Sequence, residues 1–213
     1  MSKRILPVIA TVLIIAYTAL GQDPEQLRKL KEFQERGERI TKAYDAISHT
    51  SPSLRSLNES GKRKEMIIEA GKTGDLGVIS HLRVLAYDKD PFSKLVPRSL
   101  IGTDAYLAHI ALAKLGEPDV LPEVFAELES SDYWAQNAAI AKLGEIGGKE
   151  AYRKLFQLLD DTTPRPSTAR DEITGTRSEF AMGALGRIFN DTPKSSDPAA
   201  WKAWAAKNKH LIE

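Results

Sequence analysis

The side chains that could do chemistry are few and scattered. The chain has four histidines, His49, His81, His109 and His210. None has a second histidine or an acid at a recognised ligand spacing. No His-Glu-x-x-His, no Gly-x-Ser-x-Gly, no phosphate-binding loop and no dinucleotide fingerprint occurs. Adjacent acids are present, among them Asp160-Asp161 and Asp171-Glu172. No loop gathers Asp88, Asp90, Asp160 or Asp161 at Ca²⁺-binding spacing, so these acids read as helix-end and turn residues. Cysteine is absent, which removes thiolate nucleophiles, disulfides, Cys-ligated zinc and an acylated lipoprotein cysteine. The expectation is therefore no catalytic residue, no metal and no cofactor.

Arginine offers a different chemistry. Arg165, Arg170 and Arg177 are spread along the connection 160–176 and its exit. Guanidinium groups on a long loop can grip carboxylates of a partner. Asp171 and Glu172 can equally satisfy them from within. A second long connection, 88–103, carries Pro91 and Pro97.

What positions these residues is a repeat. Four segments align on Gly71, Gly116, Gly144 and Gly186. Four residues before each glycine stand Ile67, Leu112, Ile140 and Met182; one residue before stand Ala70, Leu115, Leu143 and Leu185. That spacing lines one face of a first helix, and each glycine is expected to end its helix as a left-handed C-cap. Small residues such as Ala111, Ala139 and Ala181 admit a close neighbour. Beyond the glycine, Leu82 with Leu85, Phe125 with Leu128, and Leu155 with Leu158 mark the inner face of a second helix. Each unit is a helical hairpin with more apolar faces than it can bury alone, and stacking buries the rest. In this alignment His109 matches Asn137 and Glu179, and His81 matches Lys154, so both histidines read as solvated positions.

This pattern resembles the HEAT-like repeat of the phycobilisome-lyase type. Leu143-Gly144-Glu145-Ile146-Gly147 and the run from Leu155 to Asp160 carry the resemblance best. Leu115-Gly116 and Leu185-Gly186-Arg187-Ile188 match in part, and the segment from Gly71 to Asp75 is a weaker copy. The resemblance implies an all-α fold, an α-solenoid of stacked HEAT-like hairpins in units of about 62–90, 104–132, 133–161 and 177–191. It also implies an arginine near the start of the first helix of each unit, which the second and third repeats lack and for which Arg177 is the expected counterpart in the fourth. Second helices of such stacks line a concave side, so the positions expected to meet a partner are His81, Glu123, Glu127, Arg153, Lys154 and Gln157, with Arg165 and Arg170 from the loop. A protein or peptide partner is the expected ligand and a non-enzymatic scaffold the expected role. A structural subunit of an envelope complex is the alternative, and a chromophore-handling, lyase-like protein a more distant one.

Both ends of the repeats carry extra helices. Asp23-Pro24 opens a charged helix whose apolar seam is Leu30, Phe33, Ile40, Tyr44 and Ile47. With the linker to residue 60 it reads as a cap on the repeat domain 61–213. A dimerising coiled coil is the other reading, but Gly37 interrupts the seam. At the far end, Asp197-Pro198 opens a closing helix, 197–209, whose Trp201 and Trp204 share a face.

The first residues read as an address. Met-Ser-Lys-Arg precedes an uncharged run from Ile5 to Leu20, and Ala19-Leu20-Gly21 has the small residues of a cleavage site. The run spans about 24 Å as a helix, short of a hydrocarbon core of about 30 Å. Cleavage after Gly21 gives a periplasmic or secreted bacterial protein with no stable membrane insertion. An uncleaved signal anchor would also place residues 22–213 outside the cytoplasm. Net charge is +1 for the whole chain and −1 once Lys3 and Arg4 leave with the signal. Nucleic-acid binders carry a strong cationic field, so a nucleic-acid partner is not expected. Two Asn-x-Ser/Thr triplets, at Asn58 and Asn190, are short enough to arise by chance.

Overall fold

The computed structural model describes residues 23–89, 100–163 and 175–213. Arg165 and Arg170, residues 1–22 (where a signal segment is expected) and most of both long connections lie outside the described residues. Among those described, regular structure is entirely helical. The chain divides into two compact units, one ending in residues 103–109 and the other running from residue 110, with residues 99–102, to the C-terminus.

In the first unit, α1 (Pro24–Thr50) begins where the Asp23 carboxylate accepts the Glu25 N–H at 2.9 Å and Pro24 takes the first helical position. That cap satisfies one of the amides a helix start leaves open. Arg28 then bonds Glu25 at 2.7 Å and Glu32 at 2.5 Å, and the Arg28 hydrogen bond holds the Glu25 carboxyl below its ordinary pKa. Ser51 ends α1 in extended conformation and caps α2 (Pro52–Glu59) through its hydroxyl. α3 (Arg63–Ala70) and α4 (Ile79–Tyr87) follow, joined through a 3-10 turn at Leu76–Val78 that Asp75 caps, and both pack on α1. Met66, Ile67, Ala70, Leu82 and Leu85 are buried. α1 packs along α2 and α4. Its seam is buried at Tyr44 and Ile47, while Phe33 remains 45% exposed.

The start of α5 (Asp104–Lys114) completes this unit. Tyr44 donates its phenol hydrogen to Asp104, and Arg63 lies over the Tyr44 ring at 4.6 Å. His109 is fully buried, with the Tyr87 ring edge-on at 5.7 Å. This corrects the solvated position expected for His109. α5 has Ala105, Ala108 and Ala111 around it, all buried, so the helix is enclosed on more than one side and its polar residue is enclosed with it.

In the second unit, α6 (Val120–Leu128), α7 (Tyr133–Ile146), α8 (Gly148–Leu158), α9 (Arg177–Ile188) and α10 (Pro198–Lys207) follow the end of α5. α7 packs on α6, α8 and α9, which explains why residues on all its faces are buried. The core joins Val124, Leu128, Ile140, Leu143, Leu155, Leu158, Met182 and Leu185 to Trp201 and Trp204. Within this unit α9 packs on both α7 and α8, and α10 packs on α9.

The aligned glycines do not share one role. Gly116 has φ +83°, and the Gly116 and Glu117 amides bond the Ala113 and Leu112 carbonyls at 3.0 and 3.1 Å. That is the expected left-handed cap, in its Schellman form. Gly71 is right-handed. Gly144 and Gly186 lie inside α7 and α9, and the chain turns at Gly147, φ +73°, instead. The left-handed cap is corrected at these three positions, although Gly71 does end its helix. At two of them the missing side chain serves packing: a Cβ on Gly144 would stand 3.2 Å from the Ala184 Cβ, and one on Gly186 3.4 Å from the Trp201 ring.

Candidate functional site

α8 is the most strongly two-sided helix of the second unit. Ala151, Leu155 and Leu158 face the core, while Arg153 and Gln157 are exposed and Lys154 is half-buried. The 3.6-residue period places these groups on opposite sides. Beside the exposed side runs α10, where the same division holds. Trp201, Trp204 and Ala205 are buried, and Lys202 and Ala206 face outward.

Between the two helices lies a shallow groove of about 410 Å³. Arg153, Gln157 and Asp160 line one side, Lys202 and Ala206 the other, and Lys209 and Ile212 one end; Phe156 and Ala205 contribute apolar surface. The Arg153 guanidinium donates to the Ile212 carbonyl at 2.7 Å. Lys202 meets Asp160 at 2.7 Å with both side chains largely in solvent, a class of pair worth about 0–1 kcal/mol. Phe156 is held edge-on by Trp204, ring centres 5.8 Å apart.

Polar side chains also tie the repeats of this unit together. Arg177 donates to the Leu128 carbonyl at 2.8 Å and to Gln136 Oε1 at 3.3 Å, and stands 3.5 Å from Asp161. Gln136 donates onward to the Ser130 carbonyl at 2.5 Å, and the buried Ser178 hydroxyl donates to the Leu159 carbonyl at 3.1 Å. Arg177 thus ties neighbouring repeats together through these contacts. It is placed to do so by Thr176, whose hydroxyl accepts from Glu179 N–H while Glu179 accepts from Thr176 N–H, a capping box.

The expected partner-facing residues fall in different places. Arg153 and Gln157 line the groove. Lys154 lies 6.0 Å from the centre of the Phe125 ring and 3.9 Å from Glu129. Glu123 is half-buried on α6. Glu127 directs its carboxylate inward to Lys142 Nζ at 2.6 Å, and Lys142 has no exposed surface. His81 is half-buried on α4, in the first unit. The structure adds Lys202, Lys209 and Phe156 to the groove. The charged outer face of α10 was the sequence signal for Lys202. Nothing local marked Lys209.

The first unit has its own small cleft, about 310 Å³, lined by Glu32, Glu35, Arg39, Asp88 and Lys89. Arg39 holds Asp88 through two bonds of 2.8 and 3.2 Å, which raises the guanidinium pKa. Its charges are of both signs and partly answered within the unit. Among the described residues, no group of three His, Asp or Glu side chains is arranged to hold a metal ion, and no helix is long and apolar enough to cross a membrane.

Comparison with known proteins agrees with this architecture. The family described as HEAT repeats matches residues 104–173, about a third of the chain, covering α5 to α8 and part of the connection beyond. No curated protein and no solved structure matches the chain. Over those residues the chain is similar to HEAT repeats, and its described helices are compatible with an α-solenoid of HEAT-like hairpins; HEAT repeats are commonly scaffolds for protein partners and typically not enzymes.

Proposed function

We propose that this protein is an exported, non-enzymatic scaffold that binds another protein or peptide through the second-helix face of its repeats. The observation that carries the reading is α8, whose inward side is core and whose outward side presents Arg153 and Gln157 beside a groove with apolar surface. Interfaces are built from this combination, apolar contact area framed by polar groups that set register. The repeat subtype is that of the phycobilisome lyases, on the Leu-Gly-x-Ile-Gly signature at 143–147. Export rests on the signal-like leader 1–21, and the mature chain begins at Gln22.

A photo-crosslinking amino acid placed at Gln157 in host cells tests the binding face, with Lys114 as the control position. A discrete adduct from position 157, absent from 114 and lost with Arg153→Glu and Lys154→Glu, is the expected result. Equal adducts from both positions, or none, would overturn it. Export is tested by fractionation and N-terminal sequencing: a chain found in the cytoplasm with residues 1–21 intact would refute that part.

A further inference from the structure

We propose that the groove between α8 and α10 takes an acidic peptide segment, its carboxylates meeting Arg153, Lys202 and Lys209 and an apolar side chain lying on Phe156. This deepens the scaffold reading and rests on it. Four charged side chains line the groove: three are cations, and Asp160 is the single acid among them. The whole chain is nearly balanced at +1, so the excess is local. Charge of one sign at a recessed, partly apolar surface selects partners of the other sign and speeds their encounter.

The existing contacts are of a kind that a partner can exchange. Lys202 is 46% and Asp160 76% exposed where they pair, and an incoming carboxylate replaces such a pair at little cost. Arg153 already bonds one main-chain carbonyl, that of Ile212, at 2.7 Å. A guanidinium has five donors, so this bond leaves capacity for a carboxylate. Phe156 is fixed by Trp204, so an apolar side chain meets a surface already ordered.

A nucleic acid is the other polyanion. It fits less well, since three cations and a mixed apolar surface do not form the extended cationic track that phosphate backbones require.

Fluorescence polarisation of the purified full chain tests this. The probe is a short fluorescein-labelled peptide of alternating glutamate and leucine. A lysine–leucine peptide and a thymidine oligonucleotide are the comparisons. The acidic peptide alone is expected to bind, more weakly as salt rises. Lys202→Glu with Lys209→Glu is expected to weaken it about tenfold or more with the helical circular dichroism unchanged, since both side chains are exposed. No binding of the acidic peptide, equal binding of either comparison, or binding unaffected by the double substitution would each overturn the proposal. An adduct from Gln157 to a partner segment that lacks acids would overturn it while leaving the scaffold reading standing.

Discussion

Lys142 and Glu127 form an ion pair across α6 and α7, Nζ to Oε2 2.6 Å, with the lysine side chain entirely buried and the glutamate 10% exposed. Removing one member takes the direct counter-charge from the other, whereas removing both leaves no charge to compensate. Glu127→Ala is expected to cost about 3–5 kcal/mol, and Glu127→Leu with Lys142→Met far less, because an apolar pair fills similar space without desolvated charge. Urea unfolding of the two variants checks this. A double variant as unstable as the single one would show that the cost comes from lost packing at this site and not from an uncompensated ammonium.

Two glycines of the same helix stack should answer substitution in opposite ways. A Cβ on Gly144 meets the Ala184 Cβ at 3.2 Å, whereas a Cβ on Gly183, in the middle of α9, meets nothing within 4 Å. Gly183→Ala then gains helix propensity, about 0.5–1 kcal/mol. Gly144→Val forces α7 and α9 apart and should lose about 1–3 kcal/mol. Thermal midpoints moving in the same direction for both would contradict the close approach of α7 and α9 at Gly144.

The repeat register was readable because it rests on period and volume. Ile67, Leu112, Ile140 and Met182 are all buried where the spacing put them, and so are Leu82, Leu128 and Leu155. What each glycine does was not readable, because Leu115-Gly116 and Leu143-Gly144 look alike along the chain. In the first pair the helix stops, and in the second it continues to Ile146. Lys114 and Lys142 show the same limit. Both stand in an Ala-Lys-Leu-Gly run, yet one is exposed near its helix end and the other buried against Glu127. Local pattern cannot reveal which neighbour covers a position. The groove escaped for the same reason. Its two sides are separated by more than forty residues, and α10 reads from its own sequence as a closing helix that carries Trp201 and Trp204, with no sign of which helix its outer face meets.

Arg177 joins neighbouring repeats through a forked contact, to the Leu128 carbonyl at 2.8 Å and Gln136 Oε1 at 3.3 Å. A lysine has the charge without the planar fork and cannot reach both acceptors in the same way. Arg177→Lys should therefore lose about 1–3 kcal/mol, close to the loss for Arg177→Met. If lysine restored wild-type stability in urea, the side chain would be acting as a point charge toward Asp161, and the directed bonds would be incidental.

Tyr44 offers a test in the first unit that reads through pH. Burial, and then the hydrogen bond to Asp104, push its phenol pKa well above the ordinary value near 10, while Arg63 over the ring pulls the other way. A phenol with a raised folded pKa contributes fully below about pH 10. It loses that contribution as the pH climbs further, because the unfolded chain releases a proton that the folded chain retains. Tyr44→Phe lacks the titrating group. The wild type should be the more stable of the two at about pH 8, by about 1 kcal/mol for the bond to Asp104. The difference should shrink by about 1 kcal/mol at about pH 11, at one pKa unit of separation. Urea midpoints for both proteins at the two pH values measure it. A gap that stayed constant would mean that the Tyr44 phenol ionises as readily in the folded chain as in the unfolded one, and that the bond to Asp104 does not hold its proton.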